Sequence, residues 1–264
     1  MDYTVDLKKI LPEKQFALLQ SITASARAVM SPELFSHSVG TLNYCFKMAD
    51  RFLLNQVKGG FEKCNSNGDS KGFLSVSGFE HYERAGTGGG LKDCISISAA
   101  DRNHYKKTIP ELCFDLAAAA ILHDYGKIFS IEELKDIAVK QKLRISGFDL
   151  NCEPILHSLI APFLLKRDFK IKEKGVLNSV RIHTTGSLKM SLADKILYIA
   201  DKIEETRDYE GVEKLRQLSL EDINLCLLEV YKSNIIYVIK GNNVLHPDTA
   251  KIWNYIHGGL RHAT

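Results

Sequence analysis

The chain is predicted to fold as an all-α protein, and three observations predict it. Apolar residues recur at helical spacing in nearly every segment outside residues 58–108. Helix-start signals stand at Ser31-Pro32, Thr108-Ile109-Pro110-Glu111 and Ser130-Ile131-Glu132-Glu133. Outside 58–108 there is no alternation of apolar and polar residues long enough for a strand.

Composition bounds the rest. The 264 residues are 45% apolar and 25% charged, an ordinary globular balance that allows one domain or two. A net charge of +3 is too small to imply a nucleic-acid surface, so no nucleic-acid partner is expected. No apolar stretch is long enough to cross a bilayer, and Met1–Ile10 alternates charges without the apolar run of a secretion signal. No membrane partner is expected either. The six cysteines are widely spaced with no C-x-x-C, and Cys45, Cys113 and Cys226 fall inside helical patterns as small hydrophobes. A reduced, cytoplasmic protein is therefore expected.

In order, Pro12–Met30 reads as a first helix through Phe16, Leu18, Leu19 and Ile22. A second helix runs from Glu33 to about Val57, with His37 beside its apolar stripe. Taken alone, His37 reads as a hydrogen-bonded core histidine. Residues 58–108 are glycine- and serine-rich and read as an insertion into the helical domain. Their glycine run lacks the Gly-Lys-Ser/Thr of a phosphate loop, and Cys64, His81, Cys94 and His104 lack zinc-site spacing. The expected organisation is an N-terminal helix over 1–30, a helical domain over 31–258 interrupted by 58–108, and a tail over 259–264.

The segment Ala117–Lys127 organises the rest. An Ala-rich apolar run ends on His123-Asp124, followed by Gly126, which can end a helix, and by Lys127. A neutral imidazole and a carboxylate side by side can ligate a divalent cation, and the second carboxylate oxygen can serve another. Lys127 can hold an anionic substrate as a point charge. The dipeptide alone fits a solvated helix end equally well. Further helices are expected from the Ser130 capping box to about Lys142, and over Glu153–Arg167 with His157 and the internal Pro162. The helix beginning at Val176 stops at His183-Thr184-Thr185-Gly186, where the two threonines can bind phosphate oxygens or water, or cap the helix. Ser191–Arg207 places Asp201 in an apolar run, where an unpaired charge is costly and a metal would remove the cost. Asp194 is read as a solvated or outer member of that site. Leu220–Lys240 and Pro247–Gly258 complete the chain, and His246, His257 and His262 have no acid at useful spacing.

Four imidazoles and two carboxylates suit two first-row transition metals bridged by Asp124. The expected division puts His37, His123, Asp124 and Asp201 on one ion, and Asp124, His157 and His183 on the other. Mixed imidazole and carboxylate ligands suit iron, manganese, cobalt or zinc.

The order His, His-Asp, Asp resembles the HD superfamily of metal-dependent phosphohydrolases. The strings His183-Thr184-Thr185-Gly186, Lys195–Asp201, Gly211–Arg216 and His246-Pro247-Asp248-Thr249 resemble, more closely, the bacterial YqeK family of symmetrical diadenosine tetraphosphatases. That resemblance implies an HD-domain helical bundle with a metal centre, iron first, and cleavage of diadenosine tetraphosphate into two ADP. It implies attack of a metal-bound hydroxide on a central phosphorus. It also makes Asp124, Lys127 and Arg207 the catalytic group, with Lys127, Thr184, Thr185 and Arg207 facing the substrate. The implied partner is a dinucleoside polyphosphate or another nucleotide, and a homodimer is one permitted assembly. The chain departs from the family pattern at Leu34, Ser158 and Glu204-Glu205-Thr206, and in residues 58–108. Phosphohydrolysis of another nucleotide, a mono- or triphosphate or a guanosine alarmone, and nucleotide sensing with little turnover are the competing readings.

Overall fold

The helices begin where the sequence supplies a cap. The structure, a computed structural model, describes residues 6–54 and 108–261. Residues 58–107 of the expected insertion, with Cys64, His81, Cys94 and His104, lie outside them. Helix α1 spans Leu7–Ile10, α2 Glu13–Val29 and α3 Pro32–Ala49. The Ser31 hydroxyl accepts the Leu34 amide at 3.2 Å, with Pro32 at the first helical position. A π-helical turn, Asp50–Leu54, follows α3 directly. Helix α4, Ile109–Leu122, opens on a reciprocal box between Thr108 and Glu111. A 3₁₀ turn over Tyr125–Ile128 leads to α5, Ile131–Lys140, which opens on the same device between Ser130 and Glu133.

The remaining elements are α6 (Gly147–Leu150), α7 (Glu153–Asp168), α8 (Lys174–Ile182), α9 (Leu192–Ile203), α10 (Val212–Glu221), α11 (Ile223–Lys240) and α12 (Asp248–Arg261). No strand occurs among the described residues, and none of their helices is long and apolar enough to cross a membrane.

Three boundaries differ from expectation, and one helix is additional. The helix carrying His123 ends at Leu122, so Gly126 is not its stop; that glycine sits inside the 3₁₀ turn. Helix α9 ends at Ile203 rather than Arg207, because Glu204 is extended at ψ 166°. The expected Leu220–Lys240 helix divides at Asp222, whose carboxylate caps α11 by accepting the Asn224 and Leu225 amides. Helix α10 precedes that break and is additional to the expected elements.

The bundle is built around α4, which packs against α2, α3, α8 and α9. Every residue from Cys113 to Leu122 is buried, and Ala117–Ala120 have no exposed surface. A helix enclosed on all sides needs no polar face. The alanines let the neighbouring helices close around it at short range. Replacing Ala119 with leucine puts three extra carbons where nothing can yield. Overpacking of this kind costs about 1–3 kcal/mol. A lowered denaturation midpoint is the expected result, and an unchanged midpoint would show that the packing around α4 is looser than described.

Candidate metal centre

Each chemical side chain reaches one point from the end or face of a different element. His37 comes from the second turn of α3, and His123 is the residue that closes α4. Asp124 follows at φ −97° and ψ 9°, outside helical geometry, which turns its carboxylate under α4. His157 lies on α7, His183 closes α8 and Asp201 lies in the last turn of α9. Gly126 makes the convergence sterically feasible, because a Cβ there would stand 2.5 Å from the His157 carbonyl oxygen. All six sequence-predicted residues are brought together.

The six divide around the two oxygens of Asp124. Asp124 Oδ2 lies 3.7 Å from His37 Nε2 and 3.5 Å from His123 Nε2. Asp201 Oδ1 stands 3.0 Å from His37 Nε2 and 3.6 Å from His123 Nε2. On the other side, Asp124 Oδ1 lies 3.3 Å from His157 Nε2 and 3.4 Å from His183 Nε2. Donor atoms around a cation with bonds of about 2.0–2.2 Å sit about 3 Å apart. These separations are of that size.

The ring orientations settle which nitrogens face inward. His123 Nδ1 donates to the Ala120 carbonyl at 2.8 Å, and His183 Nδ1 to the Val180 carbonyl at 2.7 Å. His37 Nδ1 donates to Glu204 Oε1 at 3.1 Å. With the outer nitrogen of these three rings carrying a proton, their inner lone pairs point into the centre. His37 Nε2 meets His123 Nε2 at 3.2 Å, and His157 Nε2 meets His183 Nε2 at 3.3 Å. Asp124 Oδ1 is buried and has no hydrogen-bond donor. Facing lone pairs beside an undonated carboxylate oxygen call for positive charge, and the side chains present fit metal cations.

The electrostatics agree. Burial opposes ionisation of Asp124, yet His123, then His157 and His183, hold its carboxyl well below the usual range. Burial likewise opposes ionisation of Asp201, and Lys202, then His123 and His37, hold it down. Burial would lower the His123 pKa, but Asp124 and then Asp201 raise it to about 10. A cation is demanded at that point, whether proton or metal. His183, buried and beside other imidazoles, is lowered to about 4 and stays neutral at pH 7.

The expected substrate-facing residues stand at the rim. Lys127 is about half exposed and donates to Asp124 Oδ2 at 2.7 Å. Arg207 is also partly exposed and reaches Asp201 Oδ1 at 3.1 Å and His37 Nε2 at 3.2 Å. Thr184 Oγ1 bonds Ser158 Oγ at 2.7 Å. Thr185 Oγ1 donates to the Gly186 carbonyl at 3.3 Å, while its own carbonyl accepts the Tyr231 hydroxyl at 2.6 Å.

Sequence reasoning missed Glu204. Its side chain has no exposed surface and is fixed by the Thr206 amide at 2.8 Å and the Thr206 hydroxyl at 2.5 Å. Gly40 on α3 makes room, since a Cβ there would stand 2.5 Å from Glu204 Oε2. The available signal was an acid three residues after Asp201, within one helical turn. Arg216 was also missed as a structural clamp. It donates to the carbonyls of Ile203, Glu204 and Arg207, at 2.8, 2.7 and 2.7 Å, and holds the turn that carries Glu204 and Arg207.

Two expectations are corrected. Asp194 is neither solvated nor part of the centre: it is buried, completes the capping box of α9 with Ser191, and accepts the Ser179 hydroxyl at 2.5 Å. His246 does have an acid, Asp149 Oδ1 at 2.9 Å, supplied by α6 across the fold and invisible to sequence spacing.

Comparison with known proteins places these observations. Residues 110–206 match the HD domain. The chain is 33% identical over 141 residues to the symmetrical bis(5'-nucleosyl)-tetraphosphatase of Bacillus subtilis, covering 53% of this chain and 75% of that one. It is 32% identical over 138 residues to the protein of the same name from Halalkalibacterium halodurans, covering 52% and 73%. The crystal structure of a predicted HD superfamily hydrolase involved in NAD metabolism from Clostridium acetobutylicum shares the fold, with a TM-score of 0.64 at 24% identity over 90% of this chain and 96% of that one. A centre of four histidines around a doubly shared aspartate, within an HD domain one-third identical to these relatives, shows that the chain belongs to the symmetrical bis(5'-nucleosyl)-tetraphosphatase (YqeK) family of HD-domain proteins.

Proposed function

We propose that this protein hydrolyses diadenosine tetraphosphate symmetrically, forming two ADP. The observation that carries the reading is the division of Asp124 between two groups of inward-facing imidazoles, in a chain related to symmetrical bis(5'-nucleosyl)-tetraphosphatases. His37, His123, Asp124 and Asp201 would hold one cation; Asp124, His157 and His183 would hold the other. Iron is the first candidate, with manganese, cobalt and zinc as the alternatives that suit the same ligands. When bound, two such ions acidify water and neutralise charge that develops on a transferring phosphoryl group.

The chain's own residues do the remaining work. Asp124 keeps the two halves of the centre in register. Glu204 fixes the His37 tautomer so that Nε2 stays free of a proton. Lys127 and Arg207 now answer carboxylates at the rim, and each has enough exposure to turn toward a polyphosphate. Arg207 offers a planar fork for bidentate contact, and Lys127 a point charge. Thr184 and Thr185, partly buried beside His183, offer hydroxyls to the same phosphates. The described cysteines are free, which supports a cytoplasmic setting.

The direct test is to incubate metal-loaded protein with diadenosine tetraphosphate and identify the nucleotides formed. ADP alone is expected, whereas release of AMP, ATP or phosphate would point to a different reaction. Asp124→Ala should remove both ions and all turnover. Glu204→Gln should weaken metal binding about 10- to 100-fold, the usual consequence of losing a carboxylate behind a histidine ligand, without unfolding the protein. Metal titration checks this, and an unchanged affinity would remove Glu204 from the account.

Metal uptake is also tied to pH. His123 carries a proton below about pH 10 in the metal-free protein, and metal needs that lone pair. Binding near pH 7 should therefore release about one proton from His123, and affinity should fall about tenfold per unit of acidification. Calorimetry in buffers of different ionisation enthalpy reads the release; a value near zero contradicts the arrangement.

A further inference from the structure

The metal centre explains how phosphates are held and leaves open what fixes the nucleoside. Against its His157 side lies an open cleft of about 240 Å³. Lys127 and His157 line it, so it lies beside the centre. Away from them its walls become apolar: Phe129, Ile131, Leu134 and Pro154. The carboxylate-bearing Glu153 also lines it and is exposed at the start of α7.

Phe129 is a preset wall. Its ring is met edge-on by Tyr125 at 6.0 Å and covered by the Arg167 guanidinium at 5.7 Å. Leu134, anchored on α5, is almost wholly buried. A flat group with apolar faces and a polar edge matches such a surface, and a carboxylate accepts from the amino group on that edge. The cleft is smaller than the roughly 300–1,000 Å³ that takes a whole drug-sized ligand. It suits one base and not a dinucleotide.

Resting on the hydrolase reading above, we propose that this cleft is the subsite for one purine base of the substrate. The base sits between Phe129, Ile131 and Pro154, Glu153 accepts from its amino group, and the phosphate chain runs past Lys127 into the centre. The subsite then acts as a ruler. With one base anchored beside His157, the number of phosphates that fit between it and the cations sets which bond is presented for cleavage. The second nucleoside needs no matching pocket, so a symmetrical product arises from an asymmetric grip.

The test compares binding of ADP and of pyrophosphate to the metal-loaded protein. Wild-type protein should prefer ADP. Ile131→Trp, which fills the cleft, should weaken ADP about tenfold, the scale of one lost base contact, with metal content and pyrophosphate binding unchanged. Glu153→Ala, at an exposed position that folding tolerates, should give a smaller loss in the same direction. Equal loss of ADP and pyrophosphate binding, or no loss of either in both variants, overturns the subsite. The two readings fail separately. A wild type that yields no ADP from diadenosine tetraphosphate sinks the hydrolase reading. One that yields two ADP while Ile131→Trp binds ADP normally sinks the subsite alone.

Discussion

The structure depends on one buried carboxylate. Asp124 is only 1% exposed, yet it is held ionised. An isolated charge at that depth would cost an amount comparable to the whole stability of a domain. Each of its oxygens instead faces a pair of imidazole nitrogens, and the rest of the bundle serves to bring those rings there. Helix α4 must be narrow enough to run through the middle, so its last two turns before His123 are alanine, isoleucine and leucine. The 3₁₀ turn after it must lie close to α7, so it carries Gly126. Helix α3 must admit the Glu204 carboxylate, so it carries Gly40.

Much of this was legible in the sequence, and the legible part is local. Helix starts were written in short-range chemistry at Ser31, Thr108, Ser130 and Ser191. The His123-Asp124 pair announced itself because it ends an apolar run. His37, His157, His183 and Asp201 could be collected because each interrupts a helical apolar pattern with a side chain that burial would penalise. What was not legible depends on contacts across the fold. Glu204 follows a helix end and looks solvated until α3 is laid against it. His246 meets an acid 97 positions away. Asp194 shares a face with Asp201, but a capping box with Ser191 consumes it, and its more polar neighbours hide its burial. Helix α10 is short, and its break from α11 turns on a single capping aspartate.

The departures from the family pattern have local explanations. The Ser158 hydroxyl joins Thr184, tying α7 to the end of α8 beside two imidazoles. Thr206, in the turn after α9, ties that turn to Glu204 with two hydrogen bonds. Leu34 packs against the core.

The central claim is that Asp124 sits between two cations. Anomalous diffraction from crystals of metal-loaded protein tests it most directly. Two peaks about 3.5–4 Å apart, one on each oxygen of Asp124, are the predicted result. A single peak, or two that leave either oxygen of Asp124 without an ion, would contradict the account.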